Sequence, residues 1–427
     1  MRWDVGGVGE GSQELAEVFL TLECHNYESP ELNLRAASSR ALCGLWQARR
    51  RFTTTAPHCP DARGTRLPDG SLWGTFDPSA VSIQDHAGLV DIEKGVTLLA
   101  SGFRWTEGPL WHSASRSLYF SDTVDARMYR WCQRSGKVTI VAEESGGVKG
   151  TEEMFEPGSN GMALCDEDSL VICQHPSHRV VRTTFLALNA LNGRRFCDLP
   201  TNAFDVLVSL EPGGRRLNSP NDVIVSQEGD VYFTDPIYGF LRKRPGTYAP
   251  LNVIEQGAHP DQPYLDELCQ STGAGFKGVF RLRPADEPGA SLECVTKELD
   301  RPNGLALSRD ENILWVANSC KEGPSWTAFE VGDGTTPFRV VQRIDEGILG
   351  ESLRFGPGLS DGFKIDKTGL IWSTVPGGVV VIDPEQCRLI TRIAMGINTS
   401  NVQFGGNGEV FITGLGHVWM VEQCVPQ

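Results

Sequence analysis

The feature that most constrains this sequence is a motif that recurs six times between residues 107 and 413. Each copy begins with Glu, Asn or Asp, often followed by Gly, and continues as a short strand of alternating apolar residues. A polar turn and a second strand rich in β-branched and aromatic residues complete the motif. The copies begin at Glu107, Asn160, Asn221, Asn303, Asp361 and Asn401. Their starting points are separated by 53, 61, 82, 58 and 40 residues.

Each motif has the pattern of a β-hairpin, because two strands with period-two alternation flank a Gly/Asp/Asn turn. Further short strands lie between the copies, for example at residues 127–131, 279–282 and 378–382. Roughly four strands in about 40–50 residues are typical of a propeller blade. One blade cannot bury both faces of its sheet, so several must stack around an axis. The sequence therefore predicts an all-β fold, a six-bladed β-propeller. A β-sandwich is the alternative, but it would not explain six copies of one motif.

The ends of the repeat region predict where the chain divides. The strand at residues 416–421 is expected to close the ring beside residues 96–99. Residues 1–75 have a different composition, with a short acidic stretch followed by several arginines. We interpret residues 1–75 as a poorly structured N-terminal extension, a linker or a targeting segment, and residues 76–427 as the propeller domain.

Composition excludes several classes of function. The chain of 427 residues has 39 Lys and Arg against 54 Asp and Glu, a net charge of −15. Such a charge repels phosphate backbones and anionic headgroups, so neither a nucleic acid nor a membrane is an expected partner. The sequence has no apolar run of about 18 residues and no secretory signal. No CxxC or HExxH pattern occurs among its 12 cysteines and eight histidines. The predicted location is the cytoplasm.

The first residues of the six motifs are candidates for a ligand-binding ring. In a propeller, the innermost strands run along the central channel, so equivalent residues of all blades converge at one end of the axis. Two carboxylates and four amides would then meet in a narrow channel. Their oxygens are hard ligands, which suit Ca²⁺ better than softer metals. The alternative is that Asn-Gly and Asp-Gly form ordinary turns, since Asn and Asp tolerate positive φ.

Other chemistry-bearing residues give weaker signals. His175 follows the second strand of its motif, where either a structural role or one facing the channel is possible. Asp122 and Asp235 end their strands and are interpreted as caps rather than catalytic groups. The aromatic residues Tyr119, Trp315 and Trp372 are interpreted as packing between blades. No GxSxG nucleophile elbow and no glycine-rich phosphate loop is present, so a covalent hydrolase and a nucleotide-binding protein find no support.

Five segments together resemble the gluconolactonase branch of the SMP-30/gluconolactonase/luciferin-regenerating-enzyme family. They are GFRWTEGPLW (102–111), RLNSPNDV (216–223), YFTDPIYG (232–239), RPNGL (301–305) and SDGF (360–363). The likeness extends from about residue 75 to residue 421, in the family's order. Members of that family are six-bladed propellers that hydrolyse lactones such as gluconolactone with one divalent cation, usually Ca²⁺.

The resemblance implies roles for individual residues. Glu107, Asn303 and Asp361 would bind the metal, and Asn221 would supply a fourth ligand or reach the substrate beside it. Asp361 would also be the catalytic acid/base. Mg²⁺, Mn²⁺ or Zn²⁺ could replace Ca²⁺.

The family's substrate contacts fall on Asn160, His175 and Ser219. Some members carry Arg where this chain has Ser219, so a preference for phosphorylated or acidic substrates is in question here.

The leading hypothesis is a metal-dependent lactonase with a small sugar lactone as its partner. The metal would act as a Lewis acid on the lactone carbonyl, and Asp361 would activate water and return the proton to the ring oxygen. One alternative is a phosphotriesterase-like hydrolase, since the same oxygen ligands can polarise a phosphoryl oxygen. Another is a non-catalytic propeller whose rim binds a protein. The sequence makes no prediction about oligomeric state.

Overall fold

A computed structural model of the chain describes residues 76–151, 153–242, 262–284, 291–320, 322–332 and 336–424. The predicted N-terminal extension, residues 1–75, lies outside the described residues. The assignment of residues 76–427 to one domain stays a prediction.

The described residues form six antiparallel sheets, one for each predicted blade. Two strands, β1 (Ser82–Asp85) and β2 (Thr97–Ser101), precede the first blade. Blade 1 consists of β3 (Thr106–His112), β4 (Ser117–Asp122), β5 (Arg127–Cys132) and β6 (Val138–Glu143). Blade 2 consists of β7 (Ser159–Leu164), β8 (Ser169–Gln174), β9 (Arg179–Thr184) and β10 (Phe204–Val208). Blade 3 consists of β11 (Val223–Val225), β12 (Val231–Asp235), β13 (Gly278–Arg283) and β14 (Ser291–Thr296).

The remaining three blades follow the same order of strands. Blade 4 consists of β15 (Pro302–Leu307), β16 (Ile313–Asn318), β17 (Ser325–Glu330) and β18 (Arg339–Asp345). Blade 5 consists of β19 (Phe363–Ile365), β20 (Ile371–Val375), β21 (Gly378–Asp383) and β22 (Arg388–Ala394). Blade 6 contains β23 (Thr399–Phe404), β24 (Glu409–Gly414) and β25 (His417–Glu422). The first strand of each blade contacts the first strands of both neighbouring blades, which closes a ring. The predicted six-bladed propeller is therefore confirmed.

The ring is closed by two segments from opposite ends of the propeller. β2 completes blade 6 by pairing antiparallel with β25, with Thr97 opposite Met420 and Leu98 opposite Trp419. This confirms the closure predicted for residues 416–421. β1 adds a fifth strand to blade 5 beside β22, with Ser82 opposite Ala394. The sequence analysis did not predict β1.

Apolar side chains fill the space between neighbouring blades. Trp372, Val402 and Trp419 share one buried cluster between blades 5 and 6. Tyr119 and Trp372 are fully buried and Trp315 is 5% exposed, which confirms their interpretation as blade packing. Burial of such large side chains, at about 25 cal/mol per Å² of apolar surface, is the main force that stacks one blade on the next.

Three α-helices in the described residues lie outside the sheets: α1 (Phe185–Leu191), α2 (Gln262–Thr272) and α3 (Glu346–Leu349). α1 begins at Thr184, whose side chain accepts a hydrogen bond from the backbone N–H of Ala187. In the described part of the chain, no helix combines the length and apolarity needed to cross a membrane.

Carboxylates at strand ends hold the loops that lead into the innermost strands. Asp122, the last residue of β4, accepts hydrogen bonds from the backbone N–H groups of Arg104 (2.8 Å) and Trp105 (3.1 Å). Asp235, the last residue of β12, accepts them in the same way from Asn218 and Ser219, each at 2.8 Å.

The side chain of Asn318, at the end of β16, accepts one such bond from Arg301 N at 2.8 Å. In all three blades one donor lies two residues before the blade's first motif residue. The interpretation of Asp122 and Asp235 as caps is confirmed. Burial raises the pKa of the Asp122 carboxyl group and that of the Asp235 carboxyl group to about 7.

We expect Asp235→Ala to destabilise the propeller strongly, because it leaves two buried N–H groups without an acceptor. Each such group costs about 1–3 kcal/mol, so the free energy of unfolding should fall by about 2–6 kcal/mol. Asp235→Asn should lose less, because an amide oxygen serves at the equivalent Asn318. Denaturant unfolding would measure both variants beside Asp310→Ala, a change at an exposed carboxylate. Equal stability of Asp235→Ala and the wild type would contradict this account.

Candidate active site and cation-binding residues

A cavity opens at one end of the central channel, where the innermost strands converge. It contains about 480 Å³ of empty space, counted together with its open mouth. Its walls are formed by Trp105, Glu107, Glu156, Asn160, Asn221, Tyr238, Asn303, Ser319, Gly358, Leu359, Asp361, Asn398 and Thr399. Five of the six predicted ring residues are among them, so the repeat does bring these side chains together.

Position within the blade explains this convergence. Glu107, Asn160 and Asn303 are each the second residue of an innermost strand, β3, β7 and β15 respectively. Asn221 and Asp361 each stand two residues before the innermost strand of their blade, β11 or β19. These five side chains therefore start from equivalent places around the axis.

Glycines after the ring residues allow neighbouring strands to approach closely. A Cβ atom at Gly108 would lie 2.1 Å from the carbonyl oxygen of Asn160, and one at Gly304 would lie 2.5 Å from that of Asp361. Such distances leave no room for a side chain. Asn160 and Asn303 lie within strands, so the alternative interpretation of their Asn-Gly pairs as turns is wrong. Glycine here serves the contact between blades.

The sixth ring residue, Asn401, does not line the cavity. Its Nδ2 donates to Oδ2 of Asp222 at 3.4 Å, and its Oδ1 accepts from Nζ of Lys364 at the same distance. Lys364 Nζ also lies 3.9 Å from Asp222 Oδ2. Asn401 thus belongs to a separate polar cluster of the channel with Asp222 and Lys364.

Burial and mutual repulsion shift the ionisation of the ring carboxylates. Glu107 is only 4% exposed, and this burial raises its pKa to about 8, with repulsion from Asp222 and Glu156 acting in the same direction. Burial also raises the pKa of Asp361 well above its usual value, and Glu107 is the next largest cause. Asp361 keeps some exposed surface because it faces the cavity, although protein atoms surround it closely. The site would thus gain stability from a positive charge.

Hydrogen bonds orient the ring side chains. Trp105 Nε1 donates to Oε1 of Glu107 at 3.3 Å, and the backbone N–H of Gly108 donates to its Oε2 at 3.1 Å. Asn303 Nδ2 donates to Oγ of Ser319 at 3.0 Å. With its nitrogen engaged in this way, Asn303 has its oxygen available as a ligand.

The donor set fits a hard divalent cation. Glu107, Asn221, Asn303 and Asp361 all line the same cavity and offer carboxylate and amide oxygens. Within the described ranges, no group of three or more His, Cys, Asp or Glu side chains is arranged to hold a metal ion. The predicted set differs from such groups, because two of its four members are asparagines.

Two predicted substrate contacts do not reach the cavity wall. The Ser219 hydroxyl donates to the carbonyl oxygen of Pro236 at 2.7 Å and accepts from the N–H of Gly239 at 3.0 Å. His175 is fully buried, with its Nε2 3.2 Å from Nδ2 of Asn160. A role for either residue in substrate binding stays a prediction.

Sequence reasoning missed several residues of the cavity wall, notably Trp105, Glu156, Tyr238 and Ser319. Trp105 and Tyr238 lie inside segments that carry the family resemblance, and Trp105 stands two residues before Glu107. Glu156 lies in the segment before β7, outside the repeated motif. Burial raises the pKa of Tyr238, so its hydroxyl keeps its proton and can donate a hydrogen bond.

Comparisons with known proteins agree with these observations. The family profile described as "SMP-30/Gluconolactonase/LRE-like region" matches residues 105–415. The chain is similar to the gluconolactonase of Zymomonas mobilis subsp. mobilis, with 29% identity over 339 residues, 77% of this chain and 81% of that protein. The predicted resemblance is thereby confirmed.

Solved structures give the same result. The chain is similar to a gluconolactonase of Xanthomonas campestris, with 29% identity, a TM-score of 0.55 and coverage of 77% of this chain and 89% of that one. A structure described as a putative gluconolactonase is 23% identical, with a TM-score of 0.56 over 79% of this chain and 95% of that one. The latter likeness shows the fold alone.

We expect the chelator-treated protein to become less stable as the pH rises from about 5 to 8.5. The pKa of Glu107 is raised from 4.5 to about 8, so the folded state binds this proton more tightly than the unfolded state. Relative to the unfolded state, this proton stabilises the folded protein fully at pH values below 4.5, the pKa of Glu107 in the unfolded chain. The stabilisation is lost as the pH rises through about 8, its pKa in the folded protein. Thermal unfolding across this range should show the decline, and Glu107→Gln should make it shallower, while Asp122, Asp235 and Asp361, whose pKa values are also raised, maintain part of the slope. Equal slopes in the wild type and the variant would refute the assignment.

Proposed function

The chain belongs to the SMP-30/gluconolactonase/LRE-like family, and on that premise we propose that it hydrolyses a sugar lactone of the gluconolactone type to the aldonic acid. The observation that carries the proposal is the convergence of Glu107, Asn221, Asn303 and Asp361 on one cavity. The cavity opens to solvent and is walled largely by polar side chains, as binding of a small polar molecule requires.

We propose that these four residues hold one divalent cation. Ca²⁺ is the first candidate, because all the donors are hard oxygens, and Mg²⁺, Mn²⁺ and Zn²⁺ are the alternatives. When bound, the cation would supply a Lewis acid for the lactone carbonyl. The raised pKa values of Glu107 and Asp361 support the assignment, because they arise from burial first and then from repulsion between neighbouring carboxylates, and a bound cation would offset both.

Asp361 is the proposed general acid/base. Its carboxylate would accept a proton from the water that attacks the carbonyl carbon, as the new C–O bond forms. The same carboxyl group would then return the proton to the ring oxygen as the bond between that oxygen and the carbonyl carbon breaks. Its place in the cavity wall, among the other ring residues, supports this role.

Neutral polar groups would bind the hydroxyl groups of the substrate. Asn160, Tyr238 and Ser319 line the cavity and provide amide and hydroxyl groups for this purpose. None of the residues that form the described cavity wall is Lys, Arg or His. The wall therefore favours an uncharged lactone over a phosphorylated one.

Two other functions remain as alternatives. A phosphotriesterase-like hydrolase would use the same oxygen ligands to polarise a phosphoryl oxygen. A non-catalytic propeller would bind a protein at its rim and would have no need of the ring carboxylates. Substrate and metal dependence separate these functions from a lactonase.

We expect the metal-stripped protein to hydrolyse gluconolactone only after a divalent cation is restored. Asp361→Asn should lower kcat by about 10²–10⁴-fold, the usual contribution of a general acid/base. A pH-stat would follow the acid released, with each of the four cations tested in turn.

Asp310→Asn, a change at an exposed carboxylate, is the matched control and should keep wild-type activity. Turnover of a neutral phosphotriester but not of gluconolactone would favour the phosphotriesterase alternative. A stripped protein that neither binds a cation nor hydrolyses either substrate would exclude both enzymes.

A further inference from the structure

A buried histidine lies behind two of the amides that line the cavity. Nε2 of His175 is 3.2 Å from Nδ2 of Asn160 and 3.5 Å from Nδ2 of Asn221. On the other side of the imidazole, His175 Nδ1 lies 3.3 Å from Oε2 of Glu156. His175 has no exposed surface, so these three groups form its polar surroundings near the cavity.

The chemistry of these partners determines the tautomer of the imidazole. An amide nitrogen only donates hydrogen bonds, so Nε2 must present its lone pair to Asn160 and Asn221. The single ring proton of the neutral imidazole then sits on Nδ1. Glu156 stands on the Nδ1 side, and although no hydrogen bond joins the two groups in this structure, its carboxylate 3.3 Å away attracts a proton on Nδ1.

We propose that His175, oriented by Glu156, is a positioning residue that turns the oxygens of both Asn160 and Asn221 toward the cavity. Each amide group is planar, with its oxygen and nitrogen on opposite sides. Engagement of both Nδ2 groups at His175 therefore directs both Oδ1 atoms away from it. The proposal rests on the proposed function in one respect, because the cation that those oxygens would bind is itself part of that function.

The opposite tautomer would reverse the polarity of the site. With the proton on Nε2, the imidazole would bind the amide oxygens, and the NH₂ groups would face the cavity instead. Their positive hydrogens would repel a cation. The arrangement thus resembles metal sites in which a carboxylate fixes a histidine, except that here an amide stands between the histidine and the ion.

The fold holds this histidine firmly in place. His175 directly follows β8, and its carbonyl oxygen accepts a hydrogen bond from the N–H of His178 at 3.1 Å. A Cβ atom at Gly239 would lie 3.3 Å from both Cβ and the carbonyl oxygen of His175. The surrounding backbone therefore leaves little room for the residue to move.

The tautomer can be observed directly in the metal-free protein. Selective ¹⁵N labelling of histidine and long-range ¹H–¹⁵N correlation spectra distinguish a protonated Nδ1 from a protonated Nε2. The signal of His175 is identified by its absence in His175→Leu. We expect Nδ1–H in the wild type and loss of this preference in Glu156→Leu, which removes the neighbouring carboxylate. A wild-type Nε2–H tautomer, or an unchanged preference in Glu156→Leu, would overturn the proposal.

Cation affinity provides the second readout. Groups behind the ligands of a metal typically contribute about 10–100-fold to its affinity. We therefore expect His175→Leu to weaken Ca²⁺ binding by about this factor, as measured by competition with a chromophoric chelator. His175→Gln should recover part of the loss, because its side-chain oxygen can accept from the same amides.

His178→Leu is the matched control. His178 lies three residues further along and is also largely buried, but its Nδ1 faces the backbone oxygen of Asn218 rather than the cavity amides. This variant should bind Ca²⁺ like the wild type. Equal affinities in His175→Leu and the wild type would overturn the proposal. If the wild type binds no divalent cation, the proposed function fails, whereas the tautomer measurement still tests the role of His175.

Discussion

The close contact between innermost strands is the constraint on which the rest of this structure depends. At Gly108 and Gly304 the backbones of neighbouring blades approach so closely that no side chain fits between them. The residue before each glycine is consequently held at the same height on the channel axis as its counterparts in other blades. Burial of apolar side chains between the blades supplies the energy, but the backbone contact sets the radius at which Glu107, Asn160 and Asn303 meet.

The repeat made most of the fold predictable, because each copy carries its own strand pattern and its own ring residue. The six blades and the closure by residues 416–421 followed from it. β1 did not, since its four residues (82–85) lie outside the repeat and form a strand only by pairing with β22. The long interval of 82 residues from Asn221 to Asn303 did not prevent recognition of the repeat, because the extra length includes α2 and lies outside the four strands of blade 3.

The cavity was less predictable than the fold. The repeat gives the position of a residue along its blade, and five ring residues were found in this way. It does not give the direction of a side chain in a connecting segment, which depends on contacts between distant parts of the chain. Glu156 reaches the cavity from such a segment, whereas the hydroxyl of Ser219 is engaged by Pro236 and Gly239 instead. Asn401 has the right place in the repeat, but its amide is held by Asp222 and Lys364.

The closure of the ring by β2 and β25 has a consequence for biosynthesis. More than 300 residues separate Thr97 from its partner Met420. A ribosome releases β2 long before it makes β25, so the emerging chain carries an unpaired strand edge during nearly all of its synthesis. Exposed edges of this kind pair readily with other chains. Chaperones that shield nascent polypeptides would therefore have to cover β2 until β25 has been synthesised and can pair with it.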